Sequence, residues 1–402
     1  MNIYNSLKIR RLFVNLVFVF YALLIVSCKN ESQTTVDGFW NQFDVIASYE
    51  IINGDSVLIC DAENVKQASS LPWNILLKSV SFVKLDNSTE EALIEFGKCI
   101  ITTENYIGVH EIGPLKLFKR DGTFLRQIGS VGQGPGEFTY LCDAKMDEQN
   151  RRIYLLPMLA TQILVYDFNG NFVSTIPLPE RVLYGGKMLL YPELNQILVI
   201  NPINKESKDY IWLLDFKGNV IQKVNAKEYY TREIGFSEGV MINTYSQDRV
   251  SMFLFCNGNS SDFLYEYSLK ENKLTPKLRI KNFNDWIFIY DLPNQYIIET
   301  AHIASSDRKS KKLIIDKLTL RGFILEGIVS PYGLLWNDYG LLGSRSTNTF
   351  ALHKFASEIC VESEVELTKE QKATLLNIKN MISSNEEDDC SFIFYGNFKP
   401  SP

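Results

Sequence analysis

Apolar and polar side chains alternate in short runs along much of this chain, and between residues 115 and 224 the runs recur at a fixed spacing. Segments 115–128, 163–176 and 211–224 each read as an alternating run, a turn at Asp-Gly, Asn-Gly or Lys-Gly, and a second alternating run. Phe118, Tyr166 and Leu214 lie 48 residues apart, as do Gly122, Gly170 and Gly218. Period-two alternation about a Gly-containing turn predicts a β-hairpin, with Gly supplying the positive φ of a primed turn.

Upstream of each hairpin lies a second pair of short apolar runs: 141–146 and 152–156 in one unit, 187–190 and 197–201 in the next. Four short antiparallel strands per 40–50 residues make the blade of a β-propeller. A looser fourth unit runs through 250–256 and 263–278, and a fifth through 286–290, 296–303, 313–318 and 323–325. Residues 328–355 supply only part of a sixth. Propellers close when an N-terminal strand completes the last blade, and 79–85, which alternates and precedes a first blade starting at Ala92, is the candidate. Residues 40–357 then form six blades of roughly 53 residues each. Fixed spacing of turn and aromatic positions argues against a β-sandwich. The expected fold is all-β, a six-bladed β-propeller.

The first 27 residues are of another kind. Lys8, Arg10 and Arg11 precede a run, 12–26, that is apolar except at Asn15 and ends in Ile25-Val26-Ser27-Cys28. A basic start, a short apolar core and a small residue before the cut describe a secretory signal peptide. The run is shorter than the ~20 residues of a spanning helix. Its ending resembles the bacterial lipobox, which implies removal of 1–27 and acylation of Cys28; the alternative is an ordinary signal or anchor with a chance Cys. Residues 28–39 read as a lipidated polar tether. The expected location is the cell envelope, outside the cytoplasm, with the body lipid-anchored to a membrane, the outer membrane by expectation.

Composition narrows the function classes. The chain has 402 residues, 41 basic and 47 acidic side chains, a net charge of −6 and three His. An acidic balance without a basic stripe argues against nucleic acid as partner. Three His leave little scope for a His-rich metal site. Beyond Cys28, Cys60, Cys99, Cys142, Cys256, Cys360 and Cys390 form no C-x-x-C pair and mostly sit in apolar runs, so buried free thiols are expected.

Residues 126–138, Arg-Gln-Ile-Gly-Ser-Val-Gly-Gln-Gly-Pro-Gly-Glu-Phe, resemble the hallmark joining the first two blades of NHL-like six-bladed β-propeller lipoproteins of gut-anaerobe envelopes. That resemblance implies a lipobox, an aromatic–x–x–x–Gly hairpin in each blade, and an Asn-Asp near the last blade, here Asn337-Asp338. It also implies a short C-terminal helix, here 368–382 with Thr368 and Gln371 as a capping box, and a β tail at 391–395. Residues 358–402 would thus follow the propeller as helix and tail. The fourth and fifth units lack the turn Gly, and Tyr-Gly follows Asn337-Asp338 where the family has an acidic-Gly pair.

Several segments invite a chemical reading. The Gly-rich run 129–136 lacks the Gly-Lys-Ser/Thr and following helix of a phosphate loop, and reads better as an interblade turn with unusual φ values. Gly235-Phe-Ser-Glu-Gly239 matches G-x-S-x-G but lies in hairpin surroundings, so Ser237 reads as a loop residue. His110, His302 and His353 share no ligand spacing. The acidic run 385–389 lacks the alternation of a calcium loop. Propeller geometry instead places a site in the axial funnel, where Asp143, Lys145, Tyr184, Lys187, Asp285, Trp286 and Asn337 fall on or beside expected innermost strands. The expected function is a non-enzymatic binding or scaffold module for a protein, peptide or glycan, with no catalytic residue, metal or cofactor. The alternative is a hydrolase, lactonase or lyase using Ca²⁺ or another divalent cation held by funnel carboxylates.

Overall fold

The computed structural model describes residues 36–95, 99–111, 113–202, 207–229, 239–243, 248–255, 263–281, 286–301, 311–337, 348–360, 367–382 and 390–401. The chain divides into two units, Met1–Gln42 and Phe43–Pro402. In the first, Val36–Trp40 forms a short helix in which Phe39 and Trp40 meet edge-to-face, and Gln42 Nε2 donates to the Phe39 carbonyl. Cys28 and the 12–26 run lie outside the described residues. No described helix is long and apolar enough to cross a membrane.

The second unit is a six-bladed β-propeller. Blade I takes Cys99–Thr102, Tyr106–His110, Leu115–Lys119 and Phe124–Ile128. Blade II takes Leu141–Asp147, Arg152–Pro157, Gln162–Asp167 and Phe172–Pro177. Blade III takes Lys187–Tyr191, Gln196–Ile200, Asp209–Asp215 and Val220–Asn225. Each is an antiparallel meander whose first strand is innermost. Blade IV is Gly239–Asn243, Arg249–Phe255, Phe263–Ser268 and Lys273–Lys281; blade V is Trp286–Asp291, Gln295–Ala301, Lys311–Asp316 and Gly322–Val329. Blade VI gathers three distant segments, Thr349–Phe355 inside, Ser391–Phe398 in the middle and Leu77–Lys84 outside.

The N-terminal segment does more than close the last blade. Asp55–Asp61 pairs in parallel with Lys273–Lys281, and Ala47–Ile52 folds back on it, so blade IV grows to six strands. Ala68–Pro72 then pairs in parallel with Gly322–Val329 of blade V, and Leu77–Lys84 completes blade VI. The closing strand lies where alternation in 79–85 predicts it. The boundary expected at 357 is corrected: the tail Ser391–Phe398 is the central strand of blade VI rather than an appendage. Its Phe392, Ile393 and Phe394 are fully buried, and that burial draws the tail into the sheet. The helix Lys369–Asn380 forms as expected, with Thr368 and Gln371 exchanging both capping-box bonds.

The core is a series of layers between blades. Leu117 and Ile128 of blade I meet Leu155 and Leu164 of blade II, and Leu156 and Val165 of blade II meet Val199 and Trp212 of blade III. Similar layers join III to IV, IV to V and VI to I. The V–VI seam is aromatic: Tyr332 lies 5.3 Å from Phe82 and 5.6 Å from Phe394, and Trp336 lies 5.7 Å from Phe394. The positions spaced by 48 residues, Phe118, Tyr166 and Leu214, are all buried in these layers.

The hairpin turns differ from the expected primed type. In blade II the Gly170 N–H donates to the Asp167 carbonyl, and only Gly170 has positive φ, at +83°. The register slips beside it, between Val165 and Tyr166. Gly122 and Gly218 repeat this pattern at +91° and +87°. This is a three-residue loop ending in a left-handed Gly and a bulge. The Asp side chains favour it: Asp167 Oδ1 accepts from Asn169 and Asn171 N–H, and Asp215 Oδ1 from Lys217 and Asn219 N–H. In blades IV and V, Asn272 and Leu320 take the left-handed position without Gly, at +50° and +57°. The Gly-rich run has positive φ at Gly129 and Gly136, and Ser130–Val131 pairs in parallel with Glu137–Phe138. A Cβ at Gly129 would meet the Phe138 ring at 2.6 Å, so the run is an interblade turn, as expected.

Candidate functional site

Three of the seven funnel candidates meet at the seam between blades II and III. Asp143 and Lys145 are two apart on the innermost strand Leu141–Asp147 and so share one face. The Lys145 ammonium donates to Asp143 Oδ1 at 2.9 Å and Oδ2 at 2.8 Å, and to the Ala144 carbonyl at 3.1 Å. A register irregularity between Leu141 and Asp143 adjusts the strand just before the carboxylate. Across the seam, the Met188 N–H donates to Asp143 Oδ2 at 3.0 Å, and Lys187 Nζ donates to the Cys142 carbonyl at 3.0 Å. Asp143 has no solvent exposure.

Burial opposes ionisation of Asp143, but the Lys145 and Lys187 charges and the bonds from Lys145 and the Met188 N–H outweigh it, holding the carboxyl at about 2. A carboxylate ionised that firmly is an acceptor and an electrostatic anchor; it does not exchange protons near neutral pH. Beside it, burial pushes the Cys142 thiol upward, and its Sγ lies 3.6 Å from the Leu183 carbonyl.

The interblade loop beyond Pro177 passes beside Cys142 and is pinned by hydrogen bonds. Leu183 N–H donates to Asn201 Oδ1 at 2.8 Å, Asn201 Nδ2 to the Arg181 carbonyl at 3.3 Å, and Val240 N–H of blade IV to the Gly185 carbonyl at 3.3 Å. Tyr184 projects from this loop, 48 % exposed. The site is therefore a fixed, buried charge cluster, and the loop that touches it at Cys142 carries one exposed aromatic ring.

The other candidates fall elsewhere. Trp286 opens the innermost strand of blade V, its backbone paired with Ala301, while Asp285 lies outside the described residues. Asn337 is corrected. It follows Leu335–Trp336, which pairs with Ile328 and Val329 on the outer strand of blade V, and its Oδ1 lies against Gly327. The cause is an extra turn, closed by Ser330 and Leu334 with Gly333 at +79°, that keeps 328–337 at the rim. His110 and Glu111 are buried, and Glu111 pairs with Lys116 at 2.8 Å. His353 Nε2 lies 2.9 Å from Ser391 Oγ. Ser237, His302 and 385–389 lie outside the described residues. Cys60, Cys142 and Cys390 are buried free thiols. Among the described residues, no three His, Cys, Asp or Glu side chains gather as a metal-binding set.

Sequence reasoning missed a second seam carboxylate. Asp291, the last residue of the innermost strand of blade V, accepts from Ser251 of blade IV and pairs with Lys317. Lys317 also lies 4.5 Å from the centre of the Tyr296 ring. The strand as read from sequence ends at 290; an Asp at an inner-strand end, as at 147, was the available signal.

The model of a family described as a domain of unknown function, DUF4934, matches residues 56–321. The chain belongs to the DUF4934 family. The match runs from the strand Asp55–Asp61, which extends blade IV, through blades I–III to the turn before the outer strand of blade V, so the Asp143 cluster lies inside the DUF4934 region and Asn337 outside it. Among solved structures, the DUF4934 chain is similar to a candidate exported protein of Bacteroides fragilis, with 17% identity and a TM-score of 0.56. That match covers 83% of this chain and 99% of the other. It is also similar to a DUF4221 family member from Bacteroides vulgatus, at 12% identity and a TM-score of 0.42, covering 81% and 97%. No curated protein sequence matches it.

Proposed function

We propose that this protein is an NHL-like propeller lipoprotein, exported and anchored through Cys28 to the outer membrane, whose ring acts as a binding module for a protein, peptide or glycan. The anchor rests on the basic start, apolar run and Cys28 ending, and export agrees with the name of the Bacteroides fragilis relative. The single observation that carries the binding reading is Asp143: wholly buried, held ionised at about 2, and bonded across the seam, next to the loop that carries exposed Tyr184. A rigid, already satisfied base beside a loop that exposes an aromatic suits recognition, because the ring adds contact area at little entropic cost. A catalytic carboxylate would instead be poised near the working pH.

The test places a photo-cross-linking phenylalanine at position 184 in the full chain in its native membrane, with position 318 as control. Leu318 is 76 % exposed on the blade V hairpin turn. The expected result is one discrete adduct from position 184 and none from 318; no adduct, or the same adduct from both, overturns the reading. Cys28→Ala is expected to release the body from membranes, and unchanged fractionation contradicts the anchor.

A further inference from the structure

Among the described residues, seven large apolar side chains are more than half exposed, and three of them, Val45, Tyr49 and Ile51, fall within one stretch of seven residues. The other four, Val131, Leu194, Leu318 and Leu376, lie on four separate segments, as scattered surface apolar residues do. The concentrated stretch is the outermost strand of blade IV, Ala47–Ile52, with the residues that lead into it.

Its geometry explains the exposure. Alternation sets Ala47, Tyr49 and Ile51 on one face, opposite Cys60, Leu58 and Ser56 of the next strand. Leu58 and Cys60 are buried in the layer between blades IV and V, so this face continues that layer outward. Ala47 is still buried in it, whereas Tyr49 is 60 % and Ile51 73 % exposed, so the hairpin leaves the layer toward its turn at Asn53 and Gly54. The turn stands open: a Cβ at Gly54 would meet nothing within 4 Å. The charges flanking it are paired, Glu50 with Lys281 at 2.7 Å and Asp55 with Lys273 at 3.8 Å. The result is an apolar hairpin tip between neutralised charges.

Position in the chain selects what covers this tip. Val45 follows Cys28 by only 17 positions, a length of chain that reaches about 60 Å at most. The hairpin is thus the first part of the ring after the anchor, and the anchor holds a lipid surface beside it at high effective concentration. Three side chains are too few for a stable protein interface, which takes roughly 20–30 residues a side. They suit shallow insertion into a bilayer surface, where a Tyr ring settles at headgroup level.

We propose that the tip of this hairpin, through Tyr49 and Ile51, rests in the surface of the bilayer to which Cys28 is anchored. This contact rests on the Cys28 anchor and adds a fixed posture to it. Lipid alone would leave the ring free to turn on its tether, whereas the hairpin holds the outer edge of blade IV on the bilayer.

The test places a fluorescent amino acid at position 51, or at position 194 as control, in the full lipidated chain. Leu194 is exposed on a turn of blade III. The chain is bound to vesicles of phosphatidylethanolamine and phosphatidylglycerol that contain a brominated lipid. Quenching is expected to be roughly threefold or more stronger at 51 than at 194. Tyr49→Glu is expected to remove most of that difference, and Ser48→Glu, the same charge on the opposite face, to leave it. Flotation of the vesicles separates anchor from posture. A chain that does not float sinks the anchor and the hairpin contact with it. A chain that floats with equal quenching at 51 and 194, or with quenching indifferent to Tyr49→Glu, overturns the hairpin contact alone.

Discussion

Blades I–III and blades IV–VI reach the same architecture by opposite routes. The first three are contiguous meanders, each ending in a left-handed Gly turn that rests on the preceding blade. Gly122 packs on Lys84 of blade VI, Gly170 on blade I near Arg126 and Gln127, and Gly218 on Pro177 of blade II. The second three depend on distant chain: Asp55–Asp61 extends blade IV, Ala68–Pro72 covers blade V, and blade VI is assembled from 77–84, 349–355 and 391–398. Local repetition builds one half of the ring, and long-range pairing builds the other. The seams differ in chemistry as well. The II–III and IV–V seams are fastened by the buried carboxylates Asp143 and Asp291, and the V–VI seam by edge-on and tilted aromatic rings.

That contrast can be broken at either seam. Asp143→Ala leaves Lys145 and Lys187 beside a lost carboxylate and is expected to cost about 3–5 kcal/mol in denaturant unfolding. Phe394→Ala, which removes a ring touching Tyr332 and Trp336, is expected to cost a similar amount, about 3–5 kcal/mol, with blade VI losing protection first. If blade II loses protection first instead, the two halves are not separate in the way described.

Smaller changes sharpen it. Gly170 and Gly218 have nearly equal φ, but a Cβ at Gly218 would lie 2.5 Å from Pro177 Cγ, whereas at Gly170 the nearest atoms are 3.5 Å away. Gly218→Ala should therefore cost roughly 2–4 kcal/mol, the left-handed penalty plus a clash, and Gly170→Ala about 1 kcal/mol. Equal losses in thermal unfolding would show that the turns do not bear on the neighbouring blade.

Acid tests the II–III seam directly. The folded Asp143 carboxyl lies at about 2, below its ordinary 3.8, so its contribution is present in full above about pH 4 and lost as pH falls toward 2. That window should carry roughly 2 kcal/mol of stability, seen as a steeper acid limb than in Asp143→Asn. Parallel limbs would contradict the ionised, buried state. The smallest effect is at the terminal helix, where Thr368→Ala should cost about 1 kcal/mol by removing the capping box.

The legible part of the molecule was the locally encoded part. Alternation and the 48-residue spacing place blades II and III to within a residue or two, because each strand pairs with its sequence neighbour. The capping box at Thr368 is local and equally plain. Turn type was not, since a primed turn and a G1 bulge both call for Gly, and only hydrogen bonding separates them. The N-terminal hairpin on blade IV was missed because 47–52 is exposed on both faces and carries no clean alternation. Asp143, Lys145 and Lys187 could be placed on inner strands, but that Asp143 is wholly buried between blades is a property of packing. Asn337 misled because a turn at 330–334 reverses the chain at the rim.

Distant segments close the ring at blade VI. Hydrogen exchange of the full chain measures it most directly, through the amides of Leu77–Lys84 and Ser391–Phe398. Slow exchange in both segments, rising together when Phe394→Ala loosens the seam, is the predicted result. Rapid exchange of 77–84 while 141–200 stays protected would contradict it.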